Sequence, residues 1–151
     1  MNEVRINDIP DWMDKSTFYH RKFLMHIIDK YAPFKTLLDV GCGSGSDLWM
    51  IQQTFGDAIL TGLDISLDGL ESVKRIGCKA VEGSLINIGE LFTDQKFDIV
   101  LTNGVMIYFD KQCIDPLFKL ANKAVILSER ERYRPGSPDF ENYFKSKGLE
   151  P

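Results

Sequence analysis

The stretch that decides the fold is "TLLDVGCGSGSDLW", residues 36–49, in which three glycines on alternate positions follow an apolar run. Gly41, Gly43 and Gly45 stand where a strand gives way to a helix. Each glycine loses more conformational entropy on folding than alanine does, so three together indicate a backbone with unusual dihedral angles or a close approach to another group. The stretch therefore predicts a strand, a glycine-rich turn that receives a ligand, and a helix.

The composition indicates a single globular domain over residues 1–151. Of these 151 residues, 44% are hydrophobic and 26% are charged, which is an ordinary balance for a folded domain. The three cysteines (Cys42, Cys78 and Cys113) are spaced too widely for a zinc pattern and do not form a disulfide framework. We therefore expect a reduced, cytoplasmic setting and no bound metal.

Charge and hydropathy argue against a membrane or a nucleic acid as partner. No apolar run approaches the roughly 20 residues needed to cross a bilayer, and the net charge of −4 is spread along the chain. Such a charge gives no overall attraction to phosphate backbones. The exception is "SERERYR", residues 128–134, where Arg130, Arg132 and Arg134 either contact an anionic substrate or form a solvated face.

Apolar runs alternate with amphipathic stretches along the whole chain, which predicts an α/β fold with a doubly wound, mainly parallel sheet. Parallel neighbours need right-handed helical crossovers, so five strands and their intervening helices fit one sheet. The first helix places Phe23, Leu24, Ile27, Ile28 and Tyr31 at helical spacing. The predicted strands are 36–40, 58–66, 78–83, 96–104 and 123–129. The predicted helices are 15–32, 46–55, 67–77, 111–122 and 138–148.

An acidic residue lies where a ligand at the glycine turn would need it. Ligands bind such sheets outside the carboxyl ends of the strands, where the strand order reverses. Asp64 ends the second predicted strand, 23 residues beyond Gly41, and an acid at about this distance binds the two hydroxyls of a ribose. The alternative is that Asp64 only caps the helix beginning near Ser66. Together the turn and the acid predict a nucleoside-bearing cofactor.

The details of the turn favour one class of cofactor. A nicotinamide-binding turn places its last glycine three residues beyond the second, whereas Gly43 and Gly45 are two apart. Asp39, at the end of the first strand, would repel a pyrophosphate but suits the ammonium group of an amino-acid tail. A nicotinamide-dependent oxidoreductase is thus the less favoured alternative.

Four motifs in order resemble those of the class I S-adenosylmethionine-dependent methyltransferases. They are "LLDVGCGSG" (37–45), "LTGLDIS" (60–66), "VEGSL" (81–85) and "FDIVLTNGVMIYF" (97–109), and the resemblance extends over roughly residues 33–130. It implies S-adenosylmethionine as cofactor and methyl transfer to an oxygen or nitrogen of a small molecule.

The resemblance also assigns roles to the cofactor-binding residues. The turn Gly41, Cys42, Gly43 and Gly45 would line the methionine part, with Asp39 behind it. Asp64 would hold the ribose, and Ile65 would pack on the adenine. The remaining contacts would be Ser84 and Leu85 at the adenine edge, and Asn103 and Val105 near the sulfonium.

Two features depart from the family pattern. Ser84 stands where the third motif usually carries an aspartate that accepts a hydrogen bond from the adenine amino group. The family sheet usually ends in an antiparallel hairpin, and the chain stops at Pro151, where a sixth strand would begin. We therefore expect a truncated or naturally short form, or a partner such as a second copy that covers the exposed edge of the fifth strand.

Candidate residues on the acceptor side follow the fourth and fifth strands. Tyr108 occupies a position where similar small-molecule enzymes often have a histidine, and Glu129 ends the fifth strand. The alternatives are an aromatic packing residue and a solvated charge. Residues 1–33 are predicted to form a helical lid, with Tyr19 and Arg21 reaching the cofactor.

The acceptor is predicted to be a small molecule. Asn103 is not followed by the two prolines that base-flipping amino methylases use, and Cys113 lacks the preceding proline common in cytosine-carbon methylases. "TNGVMIYF" (102–109) with "AVILSERERYRP" (124–135) faintly resembles enzymes of sugar and nonulosonic-acid pathways, which implies an anionic substrate. An inactive cofactor-binding subunit that supports a partner protein is the alternative.

Overall fold

The computed structural model describes residues 1–129 together with residues 142, 145, 146 and 148. The strands are β1 (Thr36–Val40), β2 (Ile59–Asp64), β3 (Lys79–Glu82), β4 (Phe97–Asn103) and β5 (Ala121–Ser128). The helices are α1 (Phe18–Asp29), α2 (Ser46–Phe55), α3 (Leu67–Arg75), α4 (Ile88–Leu91) and α5 (Asp115–Leu120). Short 3₁₀ turns lie at Ile6–Asp8, Lys15–Thr17, Leu85–Asn87, Met106–Tyr108 and Lys111–Ile114.

The five strands form one parallel sheet in the order β3-β2-β1-β4-β5, which confirms the predicted fold class. β1 lies at the centre, and the chain runs from it toward β3 before crossing back to β4. The strand order therefore reverses between β1 and β4. All five carboxyl ends meet along one edge of the sheet, where the glycine turn follows β1.

Alternate side chains of the central strands build a hydrophobic cluster on each face of the sheet. Leu37 packs with α1, α2 and α3 on one face, whereas Leu38 packs with α4 and α5 on the other. Because both faces are covered, the buried positions of β1 and β4 are mostly apolar, as expected for central parallel strands, with Asp39 and Thr102 as the buried polar exceptions.

The first helix begins later than predicted, and its buried stripe shares Leu24 and Ile28 with the predicted one. Lys15–Thr17 form a 3₁₀ turn, and Oδ1 of Asp14 accepts its hydrogen bond from the Ser16 amide over 2.9 Å. The buried stripe of α1 is Phe18, Leu24, Met25 and Ile28, whereas Phe23 is 65% exposed and Tyr31 is also exposed. Apolar side chains occur on more than one face of α1, so the spacing of its apolar residues alone did not show which face packs against the core.

The crossover from β3 to β4 contains an element that the sequence did not predict. The 3₁₀ turn Leu85–Asn87 continues into α4, and the two together are too short to show a helical period. The predicted helix 111–122 is a 3₁₀ turn followed by α5, and β5 begins at Ala121. The predicted helix 138–148 lies largely outside the described residues.

Both edges of the described sheet belong to short or exposed strands. β3 pairs only with β2, and β5 pairs only with β4 within the part of the chain that the structure describes. In the same part of the chain, every helix is too short or too polar to span a membrane.

Candidate functional site

The glycine turn adopts the conformation that its sequence predicts. Gly41, Gly43 and Gly45 have φ angles of 75°, 54° and 85°, in the left-handed region that side chains disfavour. A Cβ atom on Gly41 would clash with Cγ2 of Val105, whereas one on Gly43 would meet open space. The backbone thus exposes bare peptide at this turn, with Val105 packed closely against it.

Asp64 contacts the turn directly. Its Oδ2 accepts a hydrogen bond from the Gly43 amide over 2.8 Å, and its Oδ1 accepts one from the Ser66 amide over 2.8 Å. The helix cap is a different residue, because Oγ of Ser66 accepts from the Gly69 amide over 3.2 Å. The alternative that Asp64 caps α3 is therefore wrong, and its carboxylate lies at the glycine turn.

Two cavities lie on either side of Gly41 at the carboxyl edge of the sheet. The first has a volume of about 350 Å³ and the second about 390 Å³. They share Gly41, Asn103, Gly104 and Tyr108, so together they form one divided cleft. Its place beside β1 and β4 is the point where the strand order reverses, as the sequence predicted.

The first cavity collects the residues predicted to surround an adenosine. Asp64, Ser84 and Leu85 line it, and Ile65 at its rim is 74% exposed. Oγ of Ser84 accepts a hydrogen bond from the Ile86 amide over 3.2 Å, and Leu85 is buried below. The hydroxyl of Ser84 therefore also caps the 3₁₀ turn that follows.

Asp39 is a buried carboxyl group behind the turn. Its residue is 1% exposed, and its Oδ2 has no hydrogen-bond partner among the described residues. Burial raises the pKa of Asp39 well above its ordinary value, Asp47 and Asp64 raise it further, and Arg21 lowers it. The sequence predicted the position of this acid but not its burial.

Cys42 lies under the turn. A Cβ atom on Gly62 would lie 2.6 Å from its Sγ, so the thiol packs against β2. Burial raises the pKa of the Cys42 thiol, so its environment disfavours the thiolate form. Cys42 also lines the second cavity.

A polar network that the sequence analysis missed joins α1 to the second cavity. Nε of Arg21 donates to Oδ1 of Asp47 over 2.8 Å, and Nδ2 of Asn103 donates to Oδ2 of Asp47 over 2.7 Å. Nε2 of His20 lies 3.2 Å from Oδ1 of Asn103 and 3.0 Å from Oγ of Ser128. A usable signal existed, since Asn103 and Ser128 end neighbouring parallel strands and Asp47 begins α2.

Of the residues predicted for the acceptor side and the lid, some line the cleft and others do not. Tyr108 is 75% exposed and lines both cavities, and Arg21 lines the second. The structure does not bring Tyr19 to the cleft, because its exposed ring packs edge-on against Phe18 and lines neither cavity.

Glu129 also lies outside both cavities. Its Oε1 accepts hydrogen bonds from Oγ1 of Thr102 over 2.9 Å and from the Val105 amide over 3.3 Å. Burial raises the pKa of Glu129, and the amide and hydroxyl donors partly offset that effect. Its carboxyl group therefore holds the loop after β4. Arg130, Arg132 and Arg134 lie outside the described residues.

Comparison of the sequence with known proteins finds methyltransferases both among family models and among individual relatives. A family model described as "Methyltransferase domain" matches residues 33–133. The chain is 30% identical over 156 aligned positions to the ribosomal RNA small subunit methyltransferase C of Buchnera aphidicola, covering 95% of this chain and 48% of that protein. It is 37% identical over 71 residues to a fatty-acid O-methyltransferase of Mycolicibacterium smegmatis, covering 44% of this chain and 25% of that protein. The chain thus spans about half the length of these relatives, or less.

A solved structure shows the same fold. The magnesium protoporphyrin IX methyltransferase of Synechocystis, with bound S-adenosylmethionine, superposes with a TM-score of 0.65 at 19% identity, covering 95% of this chain and 77% of that one. The central sheet and the crossovers described above are therefore those of a known fold.

Proposed function

Because the chain belongs to the methyltransferase-domain family, whose members use S-adenosylmethionine, we propose that its cleft binds this cofactor and passes the methyl group to an oxygen or nitrogen of a small molecule. The observation that carries the proposal is the 2.8 Å hydrogen bond from the Gly43 amide to Asp64. It brings bare peptide and a carboxylate together at one point of the cleft, as a nucleoside with an amino-acid tail requires.

The residues of the cleft fit the chemistry of this cofactor. Asp39 carries a buried oxygen without a partner among the described residues, behind a turn whose three glycines expose backbone rather than side chains. An ammonium group near this turn would meet Asp47, which lines the second cavity, and Asp64, which lines the first, with Asp39 buried behind the turn. On the other side of Gly41, the exposed side chain of Ile65 offers an apolar surface to a planar base.

We assign the residues that would hold the cofactor accordingly. Asp64 binds the ribose hydroxyls through lone pairs that its two backbone hydrogen bonds leave free. Ile65 packs on the adenine, with Ser84 and Leu85 at its edge. The turn Gly41, Cys42, Gly43 and Gly45 faces the methionine part, with Val105 and Asn103 as the floor and Arg21 beside them.

The bound cofactor supplies a methyl group on a positively charged sulfur, which is an excellent leaving group. The protein's main task is then to orient the acceptor, and good orientation is worth up to roughly 7 to 11 kcal/mol. Tyr108 stands between the two cavities with its ring exposed. We assign it the task of confining the acceptor at the second cavity.

The charge of the chain supports a small molecule as acceptor. The net charge of −4 gives no overall attraction to the phosphate backbone of RNA. The named relatives act on ribosomal RNA as well as on a fatty acid, so RNA is the competitor that the experiment must include.

Two further features extend the proposal. Within the described residues, the outer edge of β5 pairs with no further strand, and a second copy of the chain would add a strand there. Sedimentation of the purified protein tests this self-association.

The free cysteines Cys42, Cys78 and Cys113 fit a reducing compartment such as the cytoplasm.

Calorimetric titration with S-adenosylhomocysteine and with NAD, in parallel, tests the cofactor. We expect binding of the first and none of the second, and the reverse result would overturn the proposal. Transfer of radiolabelled methyl from S-adenosylmethionine is then measured against hydroxyl, amine and carboxylate compounds and against total RNA. Labelling of RNA alone would overturn the small-molecule assignment.

A further inference from the structure

We propose that His20 is the base that takes the proton from the methyl acceptor, and that Asn103 and Asp47 are positioning residues that fix its tautomer. This inference rests on the proposed function and deepens it, because it predicts that the acceptor atom arrives protonated, as a hydroxyl or an amine. A carboxylate acceptor has no such proton and needs no base.

His20 lies in the acceptor half of the cleft. It belongs to α1 and lines the second cavity. That cavity also contains residues that line both cavities, among them Gly41, Asn103 and Tyr108. A side chain from the N-terminal helix thus reaches the cavity where the glycine turn meets the loop after β4.

The hydrogen-bond network decides which ring nitrogen carries the proton. An ionised carboxylate only accepts hydrogen bonds, so Asp47 turns the Nδ2 group of Asn103 toward itself, over 2.7 Å. The amide oxygen of Asn103 then faces Nε2 of His20 over 3.2 Å, and an amide oxygen also only accepts. In the neutral ring the proton therefore resides on Nε2.

This tautomer leaves Nδ1 as a basic lone pair. Nε2 is committed to Asn103 Oδ1 and lies 3.0 Å from Oγ of Ser128, while Nδ1 has no hydrogen-bond partner among the described residues. The hydrogen bonds from Asp47 through Asn103 place a carboxylate behind the amide oxygen that accepts from Nε2. They therefore stabilise the charged ring in the same sense as the carboxylate of a histidine–aspartate pair does.

Other basic groups near this cavity are engaged or masked by burial. Oδ1 of Asp47 accepts from Arg21 and Oδ2 accepts from Asn103. Burial raises the pKa of the Cys42 thiol and of the Asp39 carboxyl group, and Glu129 lies outside the cavity on Thr102 and Val105. Among the described residues that line the second cavity, His20 is the base with a free nitrogen.

The step balances without any further reactant. The acceptor oxygen or nitrogen forms a bond to the methyl carbon, and the carbon–sulfur bond breaks with its electron pair remaining on sulfur. The acceptor's proton passes to Nδ1 of His20, so the positive charge of the sulfonium ends as an imidazolium. The charged and titratable side chains that line the second cavity with His20 are Arg21, Cys42, Asp47 and Tyr108. Glu129 directly follows Ser128, whose hydroxyl contacts the ring.

The first test is the tautomer, measured by nitrogen NMR on protein labelled at histidine. The chain has two histidines, and His26→Gln assigns the spectrum because His26 lies exposed on the same helix, away from the cleft. We expect neutral His20 to carry its proton on Nε2, an Asn103→Leu variant to lose this preference, and added S-adenosylhomocysteine to shift Nδ1 of His20 but not His26. A proton on Nδ1 in the wild type would overturn the inference, whether or not the nucleoside binds.

The second test is turnover of the acceptor found in the methyl-transfer screen. His20→Gln keeps a donor for Asn103 but has no basic nitrogen, so we expect kcat to fall about 100-fold or more and the acid limb of the pH profile to disappear. Its affinity for S-adenosylhomocysteine should stay within twofold of the wild type, and His26→Gln should behave as the wild type does. An unchanged kcat in His20→Gln, or a wild type that methylates only carboxylates, would overturn the inference. Failure of the wild type to bind S-adenosylhomocysteine would instead overturn the proposed function.

Discussion

The amide of Gly43 and the carboxylate of Asp64 are joined by a 2.8 Å hydrogen bond, although 21 residues separate them in the sequence. The bond ties the turn after β1 to the end of β2. It also fixes the carboxylate in place before any ligand arrives, so that less ordering is left for the binding step.

Replacing Asp64 with alanine tests its role at the ribose. We expect the variant to bind S-adenosylhomocysteine about 1.5 to 3 kcal/mol more weakly, the range for hydrogen bonds to a charged group. Calorimetry would show this as a dissociation constant raised about 10- to 150-fold. The control is Asp68→Ala, an exposed acid in the first turn of α3, which should bind as the wild type does. An unchanged constant for Asp64→Ala would place the ribose elsewhere.

Gly62 leaves no room for a side chain because the glycine turn packs over it. A Cβ atom there would lie 2.6 Å from Sγ of Cys42 and 2.9 Å from Cδ1 of Leu48. Gly62→Ala should therefore lower the free energy of unfolding by about 1 to 3 kcal/mol in urea denaturation, the usual cost of overpacking. Combining it with Cys42→Ala should cost less than the sum of the two single changes.

The matched control for this substitution is Gly89→Ala. Gly89 lies in α4, where an added Cβ meets nothing within 4 Å. Alanine there should leave stability unchanged or raise it by about 0.4 to 1 kcal/mol, since it restricts the unfolded chain. Equal losses at both glycines would contradict the packing described for the turn.

The ion pair between Arg21 and Asp47 should contribute more to stability than the pair that the next residue, Lys22, forms with Glu3. Both side chains of the first pair are largely covered, at 14% and 11% exposure, whereas Lys22 and Glu3 are exposed at 39% and 74%. We expect Arg21→Met to lower the free energy of unfolding by about 1.5 to 3 kcal/mol. Lys22→Met should change it by less than about 1 kcal/mol. Denaturation of the two variants side by side makes the comparison, and equal effects would refute it.

Burial of Asp39 predicts a pH dependence of stability. Its pKa in the folded protein is raised above the value of 3.8 for the free side chain, so the folded state holds this proton when the unfolded state has lost it. The stability that Asp39 contributes is fully present at pH values below 3.8, the pKa of the free side chain. It is lost as the pH rises through the raised pKa of the folded state. Asp39→Asn should therefore unfold at higher urea than the wild type at neutral pH, and its stability should fall less as the pH rises.

A urea series from about pH 4 to pH 8 measures this difference, because it spans the range over which carboxyl groups with raised pKa values titrate. Glu129, whose pKa burial also raises, contributes in the same direction, so Glu129→Gln should remove part of the remaining slope. Parallel curves for the wild type and Asp39→Asn would show that Asp39 is ionised in the folded protein.

The sequence was sufficient for the elements that flank the glycine turn. β1 and α2 have the predicted bounds, because an apolar run, a glycine turn and a helical period follow one another without ambiguity. The ends of β2, β3 and β4 lie within two residues of their predicted positions. α4 was missed because four residues cannot show a helical period. The buried stripe of α1 was predicted only in part, because more than one face of this helix carries apolar residues.

For the site, too, some features could be predicted from the sequence and others could not. The juxtaposition of Gly43 and Asp64 follows from strand order, which the motifs imply, and was predicted. The positions of Glu129, Tyr19 and His20 depend on which way side chains turn at the strand ends and on which face of α1 meets the sheet. Those choices are made by packing between distant elements, which single-sequence patterns do not encode.

The order β3-β2-β1-β4-β5 centres the cleft on the carboxyl ends of the innermost strands, and the outer edges of β3 and β5 pair with no further strand within the described residues. Extra strands, subunits or appended modules can therefore be added along either outer edge while the carboxyl ends of β1 and β4 keep their arrangement. The architecture separates the part that must stay constant for chemistry from the borders at which such proteins are free to diversify.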